Sequence, residues 1–345
     1  MTPLDGDAVR RSFALALAAL AVLGALTACA PAEQQPEATA TPTAHATPSP
    51  TPSAQPLVVG PGEKPPVLLE GDCAAALTPA DLRSVTGAEL QLTSSHSDGD
   101  VGNAGGLGCR WSGGSSGVVV EILPAAGLDG ARFPADQVPY YFEECDPDWV
   151  CSGRAETEDL WFSASFEYFP GMDRAEIDAW TSALANVVVE NVRAADSEPW
   201  TRDRAGWWSE LDCAALGDTM SGLLDAMLTG DTGGYIDPPL PGVLMAAHAS
   251  NWSNCYLGDG AHTIEVYSAA GQAWGLPTAT ENEPFDTGVP GITAWREAPA
   301  QSTPTASYVL TDGVNSLTAY ISTDAPWSAD DAAIALAYAA ASDWR

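Results

Sequence analysis

Two stretches of this chain open alike, and that repeat limits its fold more than any other feature. Gly71-Asp72-Cys73-Ala74-Ala75-Ala76-Leu77 is matched by Leu211-Asp212-Cys213-Ala214-Ala215-Leu216. The first continues to Gly108-Cys109-Arg110-Trp111 and the second to Asn254-Cys255-Tyr256-Leu257. Both then run into an apolar segment ending Ala-Ala-Gly, at Ala125 to Gly127 and at Ala269 to Gly271. A repeated unit with one cysteine pair each predicts two related domains, each pinned by its own disulfide. The chain has seven cysteines. Cys29 stands apart, and the other six allow 15 pairings. The repeat selects Cys73 with Cys109 and Cys213 with Cys255, leaving Cys145 and Cys151 to close a short loop.

Local signals place the elements. Thr78-Pro79-Ala80-Asp81 reads as an N-cap followed by proline at the first helical position, and Gly87 stops that helix. Glu89 to Thr93 alternates as a strand. Cys109 to Trp111 and Val118 to Leu123 read as a hairpin around Gly113-Gly114-Ser115-Ser116-Gly117, with Leu160 to Phe169 as a further strand. Asp173-Arg174-Ala175-Glu176 has the form of a capping box, with Ile177, Trp180, Leu184 and Val188 on one face of the helix it starts. In the second unit, Thr263 to Tyr267 and Gly291 to Arg296 read as strands. Asp312-Gly313 joins Ser307–Leu310 to Ser316–Ser322 as a hairpin, and Ser328 caps a last helix running to Trp344. Hairpin-linked strands with terminal helices give an α+β class: two tandem domains, each an antiparallel sheet with helices packed on one face.

The N-terminus carries a different kind of signal. Arg10 and Arg11 precede a 14-residue apolar run, Phe13 to Leu26, and Leu26-Thr27-Ala28-Cys29 has the form of a lipobox. That is signal-peptide anatomy, and the run is shorter than the roughly 20 residues a spanning helix needs. Cleavage before Cys29 would leave it as a lipid-modified N-terminus, and two acyl chains hold a protein stably where one does not. Arg10-Arg11-Ser12-Phe13 partly matches a twin-arginine signal, so general secretory and twin-arginine export both stay open. The expected location is the extracytoplasmic face of the cell membrane, with the membrane as partner through Cys29. Residues 30–66 are rich in Pro, Thr, Ala and Glu and cannot bury enough apolar surface to fold. As an extended spacer they could reach on the order of 100 Å. The expected organisation is therefore 1–28 signal peptide, 29–66 lipidated cysteine and linker, 67–196 first repeat, 197–210 interdomain linker and 211–345 second repeat.

Charge excludes some partners. The chain carries 13 Lys and Arg against 46 Asp and Glu, a net charge of −33, and Lys64 is its only lysine. Removal of residues 1–28 takes two arginines and two aspartates and leaves that net charge unchanged. Such a chain does not bind nucleic acid through a basic face.

An Asp-Cys-Ala-Ala-Leu start, a short Thr-Pro-Ala-Asp helix and then Cys-x-Trp entering a strand resemble a large family of actinobacterial lipoproteins of unknown function. That family is similar in pattern to the extracellular sensor domain of mycobacterial receptor serine/threonine kinases. The resemblance covers residues from about 70 to 195 well and from about 210 to 345 more loosely. Tyr256-Leu257 stands where the family shows a tryptophan two residues after the cysteine, and the 145–151 loop is an addition. The resemblance supplies no catalytic residue, and no signalling role carries over with it.

Chemistry-bearing motifs are few. Gly113 to Gly117 formally matches Gly-x-Ser-x-Gly, but a nucleophile elbow needs a strand-to-helix turn and this segment lies between two strands. His45, His96, His248 and His262 lack metal-ligand spacing, so neither a metal nor a cofactor is expected. His45 falls in the linker, His248 at a helix end and His262 at a strand start. Asp98-Gly99-Asp100-Val101-Gly102-Asn103 has a calcium-loop look without the glycine at position six or the glutamate at twelve, and reads as a flexible loop. The strongest contact surface is Tyr140 and Tyr141 with the small disulfide loop carrying Asp146, Asp148 and Trp149. A closed loop pre-organises its aromatic residue and lowers the entropy cost of binding. The competing reading is that these aromatic rings cover the first sheet. Trp200, Trp207 and Trp208 read as packing between the units, with stacking on a sugar as the alternative. The expectation is a non-catalytic binding or interaction role toward an envelope protein or wall component. The alternatives are a wall-polymer-modifying enzyme, which a deep cleft with two close carboxylates would favour, and a structural accessory of a membrane complex.

Overall fold

The computed structural model describes residues 56–344 apart from 147–148, 196, 234–239, 277–281 and 299–303. The signal segment, Cys29, the linker to residue 55 and Asp148 lie outside the described residues. From residue 54 onward the chain forms one compact unit.

The first half begins earlier than composition places it. Residues 57–66 belong to the fold, because β1 (Leu57–Val59) pairs in parallel with a strand some 140 residues further on. Next come α1 (Cys73–Ala76) and α2 (Pro79–Thr86). The Thr78 hydroxyl accepts the Asp81 amide while the Asp81 carboxylate accepts the Thr78 amide, and Gly87 closes the helix at a φ of 72°. β2 runs over Gln91–His96, two residues later than its alternation predicts. α3 (Gly99–Asn103) stands where a flexible loop was expected. Its Val101, Gly102 and Asn103 are buried, so packing decides its conformation rather than its glycines. β3 (Leu107–Gly113) and β4 (Ser116–Pro124) form the hairpin around Gly114 and Ser115. α4 (Ala125–Leu128), a π-helical turn at Pro139–Glu143, β5 (Val150–Glu156) and β6 (Leu160–Glu167) follow. α5 (Arg174–Ala194) starts at the reciprocal Asp173/Glu176 cap and buries Ile177, Leu184 and Val188.

β7 (Trp200–Arg202), the partner of β1, lies in the segment expected to be a linker. The second half then runs α6 (Cys213–Leu224), β8 (Thr229–Thr232), α7 (Pro241–Ala249), β9 (Ser253–Gly258) and β10 (Thr263–Ala269). It ends with β11 (Glu283–Phe285), β12 (Thr293–Arg296), β13 (Thr305–Thr311), β14 (Ser316–Ser322) and α8 (Ala329–Asp343).

The two sheets are antiparallel and share one strand order. The first reads β2-β3-β4-β6-β5 and the second β8-β9-β10-β14-β13, extended by β12 and β11. In each, the cysteine strand pairs its half-cystine with a valine, Cys109 with Val120 and Cys255 with Val266. The fold is thus α+β, built from two related halves. All three cysteine pairs are at bonding distance: Cys73–Cys109, Cys145–Cys151 and Cys213–Cys255. In the chain-entropy account the long bridges stabilise by about 4 kcal/mol each and the short one by about 2 kcal/mol.

Each sheet packs helices on one face. Val118, Val120 and Ile122 of β4 meet Leu82 of α2 and Ile177 and Leu184 of α5. Leu257, Ile264 and Val266 meet Leu216 and Met220 of α6 and Leu336 of α8. Trp208 joins this second core, edge-on to Trp344 at 5.0 Å. The first sheet is also covered on its other face. There Leu123 and Trp161 pack with Val101 of α3, Ala104 just after it, Phe133, and Met245, Ala246 and Ala249 of α7. A helix from the second half therefore roofs the first sheet.

The seam between the halves is polar and ordered. Arg202 donates to the carbonyls of Asn103 at 3.1 Å and Gly271 at 2.7 Å, and Asn103 donates to Ala270 at 2.9 Å. Trp207 donates to the Pro61 carbonyl at 2.9 Å and lies beneath Arg202 and Arg204, 5.3 and 4.5 Å from its ring. Trp207 thus packs at the seam, and Trp200 is buried against Gly105. Burial lowers the proton affinity of Arg202 to about 10, and Arg204 adds to the shift.

Candidate functional site

The π-helical turn and the small disulfide loop stand side by side on the first half. Arg174, at the start of α5, holds them to the scaffold by donating to the Phe142 carbonyl at 2.9 Å and to Ser152 at 2.7 Å. Asp178 orients that guanidinium through its Oδ1. The disulfide loop is itself hydrogen-bonded, from the Trp149 amide to the Asp146 carbonyl and from the Tyr168 amide to the Trp149 carbonyl, both at 2.9 Å. The indole of Trp149 is 65% exposed and the ring of Tyr140 is 51% exposed. Tyr168, whose amide meets Trp149, is exposed as well, at 47%.

Tyr141 behaves differently. It is buried with Phe142 and Phe133, its ring 5.7 Å from Phe133, and belongs to the cluster that covers the outer face of the first sheet. The aromatic run therefore divides: Tyr141 and Phe142 cover the sheet, while Tyr140 and Trp149 face outward. Tyr140 and Tyr141 meet edge to face at 5.0 Å. Burial raises the proton affinity of the Tyr141 hydroxyl, as do Tyr140 and Glu121 beside it.

Two cavities flank this tyrosine pair. The smaller, about 560 Å³, brings together Tyr140, Tyr141, Asp146 and Trp149 with Glu144 and Glu167. The larger, about 680 Å³, continues from Tyr140 and Tyr141 to Glu210, His248, Trp252 and Asn254 of the second half. Four of the five residues singled out from sequence therefore share one cavity, and the fifth, Asp148, lies outside the described residues. Volumes of this size suit a small molecule or one or two units of a polymer. Glu167 is paired with Arg110. Leu240 and Pro241 line the smaller cavity, and Leu244, Ala247 and His248 the larger, so α7 forms a wall of both.

Beneath α7 lies a residue that sequence reasoning passed over. Glu121 sits mid-strand in β4 and is only 1% exposed. Its carboxylate accepts the Gly242 amide at 2.7 Å, the Val243 amide at 3.3 Å and the Ser163 hydroxyl at 2.9 Å. Desolvation raises its proton affinity from the ordinary 4.5 to about 7, and the three hydrogen bonds pull against that rise. The signal was present in Val118-Val119-Val120-Glu121-Ile122-Leu123, a lone carboxylate inside an apolar run. Asp100 on α3 is likewise pushed to about 7 by burial, and its Oδ1 has no hydrogen-bond partner among the described residues. Neither carboxyl lines either cavity.

The histidines remain apart. His262 contacts Asp259 at 3.0 Å, His96 lies against Gly108, and His248 lines the larger cavity. Among the described residues no group of three or more His, Cys, Asp or Glu could hold a metal ion, and no helix is long and apolar enough to cross a membrane. No family model, curated protein or solved structure matches this chain.

Proposed function

We propose that this chain is a lipid-anchored protein of the extracytoplasmic membrane face that binds a wall component in the cavities beside Tyr140, without chemical turnover. The reading rests on the pairing of two outward rings, Tyr140 and Trp149, over a cavity of about 560 Å³. A pre-formed loop that shows an indole to solvent has little conformational entropy left to lose on binding. Flat aromatic faces with carboxylate acceptors nearby suit a sugar ring, which offers an apolar face for stacking and hydroxyls for Glu144 and Asp146. The lipobox at Leu26–Cys29 and the linker after it support placement on a tether at the envelope. Resemblance to actinobacterial lipoproteins points the same way. An enzyme reading is less well supported, because the carboxyls with raised proton affinity lie under α7 rather than in a cavity.

The test is titration of the full-length protein with soluble wall-glycan fragments, followed by intrinsic tryptophan fluorescence. Saturable binding that Trp149→Ala weakens at least tenfold, with its melting temperature intact, agrees with the proposal. Binding that ignores both Trp149→Ala and Tyr140→Ala contradicts it.

A further inference from the structure

Helix α7 belongs to the second half by sequence and to the first half by packing. Its Met245, Ala246 and Ala249 join Leu123 and Trp161 of the first sheet. Both of its ends are gripped by side chains of the sign its dipole favours. Glu121 accepts the Gly242 and Val243 amides at the N-terminus, and Arg204 donates to the Ala249 carbonyl at the C-terminus at 2.8 Å.

We propose that Glu121 is a pH-controlled latch on α7, and through α7 on the shape of both cavities. The inference rests on the binding reading only for what the cavities are used for. The physical basis is the contrast between docked and lifted states. Docked, the carboxyl is sealed from water with no cation beside it among the described residues, and that burial penalises its charge by more than the two amides and the hydroxyl favour it. Its proton then leaves at about 7. Lifted, α7 admits water, and the group returns to the ordinary carboxylate range near 4.3. The docked state therefore binds the proton more tightly. Docking is favoured as pH falls, weakens progressively as pH rises from that ordinary range to about 7, and levels off above it.

Other charged or titratable groups surround this contact. From the π-helical turn comes Tyr141, whose hydroxyl stays neutral throughout this range. Arg154 of β5 lies over the Phe142 ring at 4.9 Å. At the far end of α7, Arg204 is paired with Asp129 at 3.3 Å. His248 lies in the last turn of α7 itself. Asp100 lies on α3, which packs against α7, and its raised proton affinity acts in the same direction as that of Glu121.

The experiment is amide hydrogen exchange on the full-length protein from about pH 5.5 to 8.5, corrected for intrinsic chemistry. Protection of Gly242 to Met245 is expected to fall roughly 20-fold or more between pH 5.5 and 7.5 and then to level off. Glu121→Gln should remove that 20-fold share, while Asp100→Asn should leave it in place. Should Glu121→Gln fail to fold, carbon-13 NMR of the wild-type Glu121 carboxyl decides: a midpoint near 7 supports the latch and one near 4.5 overturns it. Flat wild-type protection, or an unchanged slope in Glu121→Gln, also overturns it. No ligand enters these measurements, so they can fail or succeed independently of the binding proposal.

Discussion

One substitution made at two glycines should move stability in opposite directions. A Cβ at Gly242 would lie 2.4 Å from the Glu121 Cβ and 2.9 Å from its Cδ and Oε2. Glu121 cannot retreat, since it is buried against the sheet and fixed by three hydrogen bonds. Overpacking of this kind costs about 1–3 kcal/mol. Moving α7 outward also stretches the 2.7 Å bond from the Gly242 amide to a charged acceptor, of a class worth about 1.5–3 kcal/mol. Against these stands a helix-propensity gain of at most about 1 kcal/mol for alanine over glycine. Loss wins, and Gly242→Ala should destabilise by about 2 kcal/mol, lowering the melting temperature by about 3–4 °C in a unit of this size. Gly222, in α6, is exposed, and a Cβ there would meet nothing within 4 Å. There the propensity gain acts alone, and Gly222→Ala should raise the melting temperature by about 2 °C. Calorimetry of both variants at about pH 8, where Glu121 is charged, suffices. A neutral or stabilising Gly242→Ala would refute the claim that α7 is pressed onto Glu121.

Three further outcomes follow from the same contacts. Melting temperature should rise as pH is lowered from about 8 to about 5, because Glu121 and Asp100 bind protons more tightly folded than unfolded, each by up to about 3–4 kcal/mol; an unchanged or falling melting temperature over that interval contradicts both burials. Asn315 is fully buried and accepts the Trp208 amide at 3.1 Å and the Gly271 amide at 3.2 Å while donating to Gly206 at 2.8 Å. Asn315→Leu should therefore cost about 2–4 kcal/mol by orphaning two amides, readable as loss of exchange protection at Trp208 and Gly271. Under the lipoprotein reading, Cys29→Ala should move the protein from the membrane pellet to the soluble fraction, and unchanged retention would remove that reading.

What could be read from sequence was local, and what could not was remote. The Thr78/Asp81 and Asp173/Glu176 caps, the Gly87 stop and the Asp312-Gly313 turn all form, since each is decided within a few residues. The disulfides were legible because the repeat supplied a second, independent copy of one pattern. β1 was hidden for the opposite reason. Leu57–Val59 becomes a strand only through Trp200–Arg202, far along the chain. Likewise Asp98–Asn103 shows glycines and aspartates locally, yet α7 and the seam bury Val101, Gly102 and Asn103 in a helix. Four members of the candidate site were visible as aromatic and acidic residues near a small loop. Its α7 wall was not, since α7 docks on Glu121 only in the folded molecule.

Carboxyl footprinting tests the binding claim most directly, and it suits a chain with 46 acidic residues and one lysine. Labelling of the full-length protein in its native envelope would be compared, residue by residue, with labelling of the purified protein. The account predicts that the envelope shields Glu144 and Asp146 at the cavity beside Trp149 and leaves the acids of α5 and α8 unchanged. Equal labelling of Glu144 and Asp146 in both settings, with shielding elsewhere or nowhere, would contradict it.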